Sequence, residues 1–100
     1  MPYVSLQLAV DFIAKRLPFQ GNSLYGQRIG DRYVVVSYST PIAFYIPESD
    51  SWLVNPNKYS QTTSRHQGVV KRGIAITGKA VDVAPPEMYA RGGFGYGYRP

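Results

Sequence analysis

Apolar residues recur at two different spacings along this chain. Leu6, Ala9, Val10, Ile13 and Leu17 fall three and four apart, as on one face of a helix. Ser5 is placed to cap that run, Asp11 and Lys15 form a favourable pair four apart, and Pro18 ends it. The pattern predicts a helix over residues 5–17. Val4, Leu6, Leu8 and Val10 also alternate as a strand would, but the length of the run and its Ala, Lys and Arg content favour helix. Lys15 and Arg16 near its end suit the helix dipole.

Past a turn at Phe19-Gln20-Gly21-Asn22, the pattern shortens to strand-like runs. Residues 23–29 and 32–39 flank Gly30-Asp31, a pair that joins hairpin strands. The second run holds Tyr33-Val34-Val35-Val36-Ser37-Tyr38, β-branched and aromatic. Thr40-Pro41 breaks it. Residues 42–46 form a third strand and 51–54 a fourth, separated by the turn Pro47-Glu48-Ser49-Asp50 and closed by Asn55-Pro56-Asn57. Connections this short join antiparallel neighbours, so the run is a four-stranded meander.

Helical spacing then returns briefly. Ser64 with Gln67 three residues on fits a capping box, and Val69 and Val70 follow at an offset that faces a core. Gly73 stands where a glycine often stops a helix. The expected second helix covers residues 65–72, and a helix that short must dock to persist. Gly68 inside it costs about 1 kcal/mol relative to Ala. Ile74-Ala75-Ile76-Thr77 either lengthens this helix or forms a last strand, and Gly78 breaks it. The fold class that follows is α+β: a single domain with an N-terminal helix, a four-stranded antiparallel β-meander and a short second helix, both helices covering the sheet. The domain is assigned to residues 1–79. Residues 80–100 form an extended, Gly/Tyr-rich tail that includes the spacer Pro85-Pro86 and Arg91-Gly92-Gly93-Phe94-Gly95-Tyr96-Gly97-Tyr98.

Charge adds a location to this outline. The formal net charge is +5, yet the excess is local: Lys58, Arg65, Lys71, Arg72 and Lys79 all lie between Ser51 and Lys79, where no acidic residue occurs. Such a patch is the footprint of a polyanion or acidic protein partner, and equally of a solvated basic face. Arg65 and His66, near the expected helix start, would form an anion pocket with the free N–H groups and with Thr62, Thr63 and Ser64. The competing reading packs the His66 ring on the sheet. Tyr59 and Lys58 precede the helix and complete the candidate binding set of Lys58, Tyr59, Arg65, His66, Lys71 and Arg72. The many tyrosines are either core residues or stacking platforms for bases. Phe94, Tyr96 and Tyr98 extend that supply into the tail.

Catalytic chemistry finds few candidates. Cysteine is absent, so there is no disulfide framework, thiolate zinc site or thiol nucleophile. His66 is the single histidine, which excludes a multi-histidine metal site within one chain. Glu48 and Asp50 lie in a turn, where nothing raises a carboxyl toward general-acid duty. Ser64 and His66 are two apart and point to different faces of a helix. No cofactor, metal or catalytic residue is assigned, and the expectation is a non-enzymatic protein. No apolar run approaches the roughly 20 residues of a membrane span, and no basic segment precedes an apolar core as in a signal peptide.

Three segments carry a resemblance: Phe19-Gln20-Gly21-Asn22-Ser23, Val36-Ser37-Tyr38-Ser39-Thr40-Pro41-Ile42-Ala43, and Lys58-Tyr59-Ser60-Gln61-Thr62-Thr63-Ser64-Arg65-His66-Gln67. Over about residues 5–73 the chain resembles a family of small uncharacterised phage and prokaryotic proteins. The resemblance implies a viral accessory protein and supplies no activity to transfer; the expected location is the cytoplasm of a host cell. The expected function is a binding module whose basic patch contacts nucleic acid or an acidic host protein. The alternative is a virion or assembly protein that self-associates through its tail.

Overall fold

The computed structural model describes residues 2–89. Helix α1 (Leu6–Ala14) starts where Ser5 Oγ accepts the Leu8 N–H. It stops two turns later at Lys15, and Arg16 turns the chain with φ of 54°. Strands β1 (Phe19–Gln20), β2 (Leu24–Ile29), β3 (Arg32–Ser37), β4 (Thr40–Ile46) and β5 (Ser51–Val54) follow as consecutive antiparallel neighbours. Helix α2 (Gln61–Thr77) then crosses the sheet and delivers β6 (Ala80–Val83) alongside β5 in parallel. A 3₁₀ turn (Pro86–Met88) comes after it.

The mixed α+β class and the antiparallel run from β2 to β5 match the pattern of the sequence. Three elements differ. Phe19-Gln20 is a short edge strand rather than part of a turn, because it pairs with Tyr25 and Gly26. Residues 80–83, expected in an extended tail, complete a six-stranded sheet, and Met88 beyond them is buried. Helix α2 has 17 residues instead of barely two turns. Its cap is Ser60, whose Oγ accepts the Thr63 N–H at 3.2 Å, so Ser64 is already inside the helix. Gly73 does not end it: an added Cβ would stand 3.0 Å from Ile13 Cγ2 and from the Val10 carbonyl. The bare backbone lets α1 and α2 touch. The terminator is Gly78, at φ of 70°, a conformation that costs glycine little. The remaining tail, with Phe94, Tyr96 and Tyr98, lies outside the described residues.

Both helices cover one face of the sheet. Alternation along β3 sends Tyr33, Val35 and Ser37 toward them and Val34 and Val36 to the other face. Trp52 of β5 is fully buried beneath the helices, with the rings of Tyr33 and Tyr45 edge-on at 5.9 and 5.6 Å. On the far side Phe44, Val34 and Val36 pack with Ala84 and Met88. Between β3 and β4 the register slips: Val35 pairs with Ala43 but Val36 with Pro41, leaving Ile42 without a ladder partner. That bulge admits Pro41 into the strand and re-aims Ile42 toward α2.

Candidate functional site

Seventeen residues of helix separate two chemistries by helical phase. Thr63, His66, Val69, Val70, Gly73 and Ile74 are buried against α1 and the sheet. Ser64, Arg65, Lys71 and Arg72 are exposed, with Gly68 half-buried between them. Arg72 folds back along the helix, so that its Nη1 is the nearest atom to a Cβ added at Gly68, 3.9 Å away.

A stapled loop faces that surface. Asn55 is buried and its side chain is fully used: Nδ2 donates to the Pro41 carbonyl and to Tyr59 Oη, each at 3.0 Å, while Oδ1 accepts the Asn57 N–H. Gln67 Nε2 reaches from α2 to the carbonyls of Asn55 and Asn57, at 3.1 and 3.0 Å. These bonds hold residues 55–59 a fixed distance from the helix. Between loop and helix lies a cleft of about 420 Å³. Its floor is apolar, made by Ile42, Val54 and Val70. Its rim carries Asn57 and Lys58 on the loop and Ser64, Gln67, Gly68 and Lys71 on the helix. A second hollow of about 170 Å³ shares Val54 and Lys71 and continues along α2 to Lys79 and Val81.

The sequence-derived candidates divide accordingly. Lys58 and Lys71 line the cleft, Arg72 does not but brings its Nη1 near Gly68 in the cleft wall, and Arg65 is exposed on the same helix outside the lining. Tyr59 is 41% exposed, its hydroxyl held by Asn55, and does not line the cleft. Among the described residues the ion pairs are Arg32–Glu48 at 3.4 Å and Lys79–Asp50 at 2.8 Å. Lys79 is therefore neutralised within the fold, whereas Lys58, Arg65, Lys71 and Arg72 have no carboxylate beside them among those residues.

His66 is the correction. The expected anion pocket placed it with Arg65 at a helix start, but the helix begins four residues earlier, so neither residue meets free N–H groups. His66 is 1% exposed and turned inward, its Nδ1 2.7 Å from Ser37 Oγ. Ser37 Oγ is in turn 3.1 Å from Thr63 Oγ1, and Ser60 Oγ donates to the same Thr63 oxygen. With the ring neutral and Nδ1 accepting, the donors run from Ser60 through Thr63 and Ser37 to His66. Burial, helped by the positive charge of Arg65, pushes the imidazole below its usual value and keeps it neutral. The signal for this was in the sequence: His66 is three, four, seven and eight residues before Val69, Val70, Gly73 and Ile74, on one apolar stripe.

Asp50, in the turn before β5, goes the opposite way from a general acid. Lys79 and the Tyr45 hydroxyl both donate to it and hold its carboxyl below the ordinary range. Among the described residues no group of three His, Asp or Glu side chains could hold a metal ion, and no helix is long and apolar enough to cross a membrane. Sequence reasoning missed the cleft itself, because it depends on Asn55 and Gln67 joining loop to helix.

No curated protein and no solved structure matches the chain. A family model does, over residues 12–79, which spans both sides of the cleft. On that match the chain belongs to DUF8033, a family of unknown function.

Proposed function

We propose that this protein is a non-enzymatic binding module that grips the phosphates of nucleic acid. The observation that supports it is the exposed face of α2. Arg65, Lys71 and Arg72 project from one helix, Lys58 faces them from the loop, and no described carboxylate offsets them. A helix so charged is costly to leave without counter-ions, and a phosphate backbone supplies them in series. Nucleic acid is preferred to an acidic protein because Lys58 and Lys71 share the rim of a cleft that also has an apolar floor and uncharged hydrogen-bonding groups at Asn57, Ser64 and Gln67. Acidic side chains would use the cations alone. The setting that suits the module is a phage-type accessory protein acting in the cytoplasm of a host cell.

Salt dependence tests the reading. If four cations engage a single strand, the logarithm of the affinity falls with the logarithm of salt at a slope of about −3. Replacing Arg65 and Arg72 together by Glu should abolish binding to a labelled oligonucleotide at low salt. Absence of any binding by the wild-type protein at low salt would refute the proposal.

A further inference from the structure

Two glycines of α2 invite comparison. Gly73 is demanded by the fold, since α1 occupies the space of its side chain. Gly68 is not. Its surroundings are open but for Arg72 Nη1, it is not among the positive-φ glycines, and it weakens the helix by about 1 kcal/mol relative to Ala. What Gly68 does provide is a stretch of bare helix backbone in the wall of the cleft. Glycine serves in that way where a ligand must approach the main chain closely.

The cleft's chemistry narrows the ligand. Its volume lies toward the low end of the roughly 300–1,000 Å³ of small-molecule sites. Its floor of aliphatic side chains suits a flat apolar ring. The rim retains hydrogen-bonding capacity: the side-chain amide of Asn57, the Ser64 hydroxyl and Gln67 Oε1 have no hydrogen-bond partner among the described residues, Gln67 using only its Nε2. Lys58 and Lys71 line this slot, and Arg72 Nη1 lies near its Gly68 wall. The hollow running on toward Lys79 leaves room for a chain rather than a lone compact molecule. We infer that the cleft receives one unpaired base of a single-stranded nucleic acid. The ring lies against the bare backbone at Gly68, its polar edge meets Asn57 and Gln67, and the flanking phosphates meet Lys58, Lys71 and Arg72. This rests on the phosphate-binding reading above and adds single-strand selectivity to it, because a base inside a duplex cannot leave its stack without cost.

The experiment uses the full chain and three labelled probes at low salt: an oligothymidine, an abasic strand with the same number of phosphates, and a duplex of equal length. Fluorescence anisotropy should show the oligothymidine bound about tenfold or more tightly than the abasic strand. Gly68→Leu fills the slot, removes no cation and improves helix propensity. It should bring oligothymidine binding down to the abasic level, whereas Gly68→Ala should keep most of the preference. Equal wild-type affinity for the oligothymidine and abasic strands would overturn the base slot while leaving phosphate binding intact. No binding to any probe would overturn both. If polyglutamate displaces the strand and Gly68→Leu weakens polyglutamate equally, the occupant is an acidic peptide and the inference fails.

Discussion

The two sides of α2 are built from the same seventeen residues under opposite constraints. On the inner side every position is fixed by a neighbour: Gly73 by α1, His66 by Ser37, Ile74 and Val69 by the core. On the outer side the long charged side chains answer to nothing within the described fold, and Gly68 costs helix stability without relieving a clash. Stability therefore resides on one side, and the residues free to serve a ligand on the other.

Substitutions on the inner side should be the most damaging. Ile74→Ala removes a buried side chain and should cost about 2–5 kcal/mol in chemical denaturation. Gly73→Leu drives a side chain into Ile13 and the Val10 carbonyl and should cost about 1–3 kcal/mol or more. A mild response there would show that the helices part easily and that the contrast between the two sides is weaker than the geometry states.

A pH series probes the inner side without mutation. His66 titrates lower in the folded protein than in the unfolded chain, whose imidazole takes up its proton near about 6.5. Below that pH the unfolded state binds more protons, so the contribution is complete at neutral pH and is lost as the pH falls through and below 6.5. His66→Gln should flatten that part of the stability profile. An unchanged profile would mean that the imidazole is free to charge in place.

Smaller effects mark the boundary between the two sides. Ser60→Ala deletes the cap of α2 and should cost about 1 kcal/mol, measured by thermal melting. Gly68→Ala should move the melt the other way, stabilising by up to about 1 kcal/mol. The pair Gly68 and Gly73 is the sharpest form of the comparison: one glycine whose loss helps the fold and one whose loss harms it. Should Gly68→Ala destabilise, the outer side carries a structural demand that the contacts around it do not show.

Much of this architecture was legible in the residues. The stripe from Leu6 to Ile13 and the alternation from Leu24 to Val54 gave α1 and the antiparallel run, because local spacing decides both. The start of α2 was not: Ser64 with Gln67 fits a capping box, but the cap is Ser60, and the Gln67 amide goes to the carbonyls of Asn55 and Asn57 instead. Gly73 reads as a stop until α1 is known to lie against it. Strand β6 is four residues long and joins β5 only after a crossover that includes the whole seventeen-residue helix, so no nearby pattern announces it. The cations of the candidate site were visible as an unbalanced run, but their division from His66 followed from helical phase, and the cleft from two amides, Asn55 and Gln67, that stand 12 residues apart.

Strand β6 also closes a line of open main-chain groups. It is the last strand in the sheet order, all four residues are exposed, and one of them is Asp82. Short, charged final strands discourage foreign chains from adding to a sheet. A version of the protein trimmed after Lys79 would hand that position to β5, which carries the fully buried Trp52. Such a fragment would then offer a sticky border to any passing copy of itself, and its solubility, more than its affinity for anything, would report what those few residues guard.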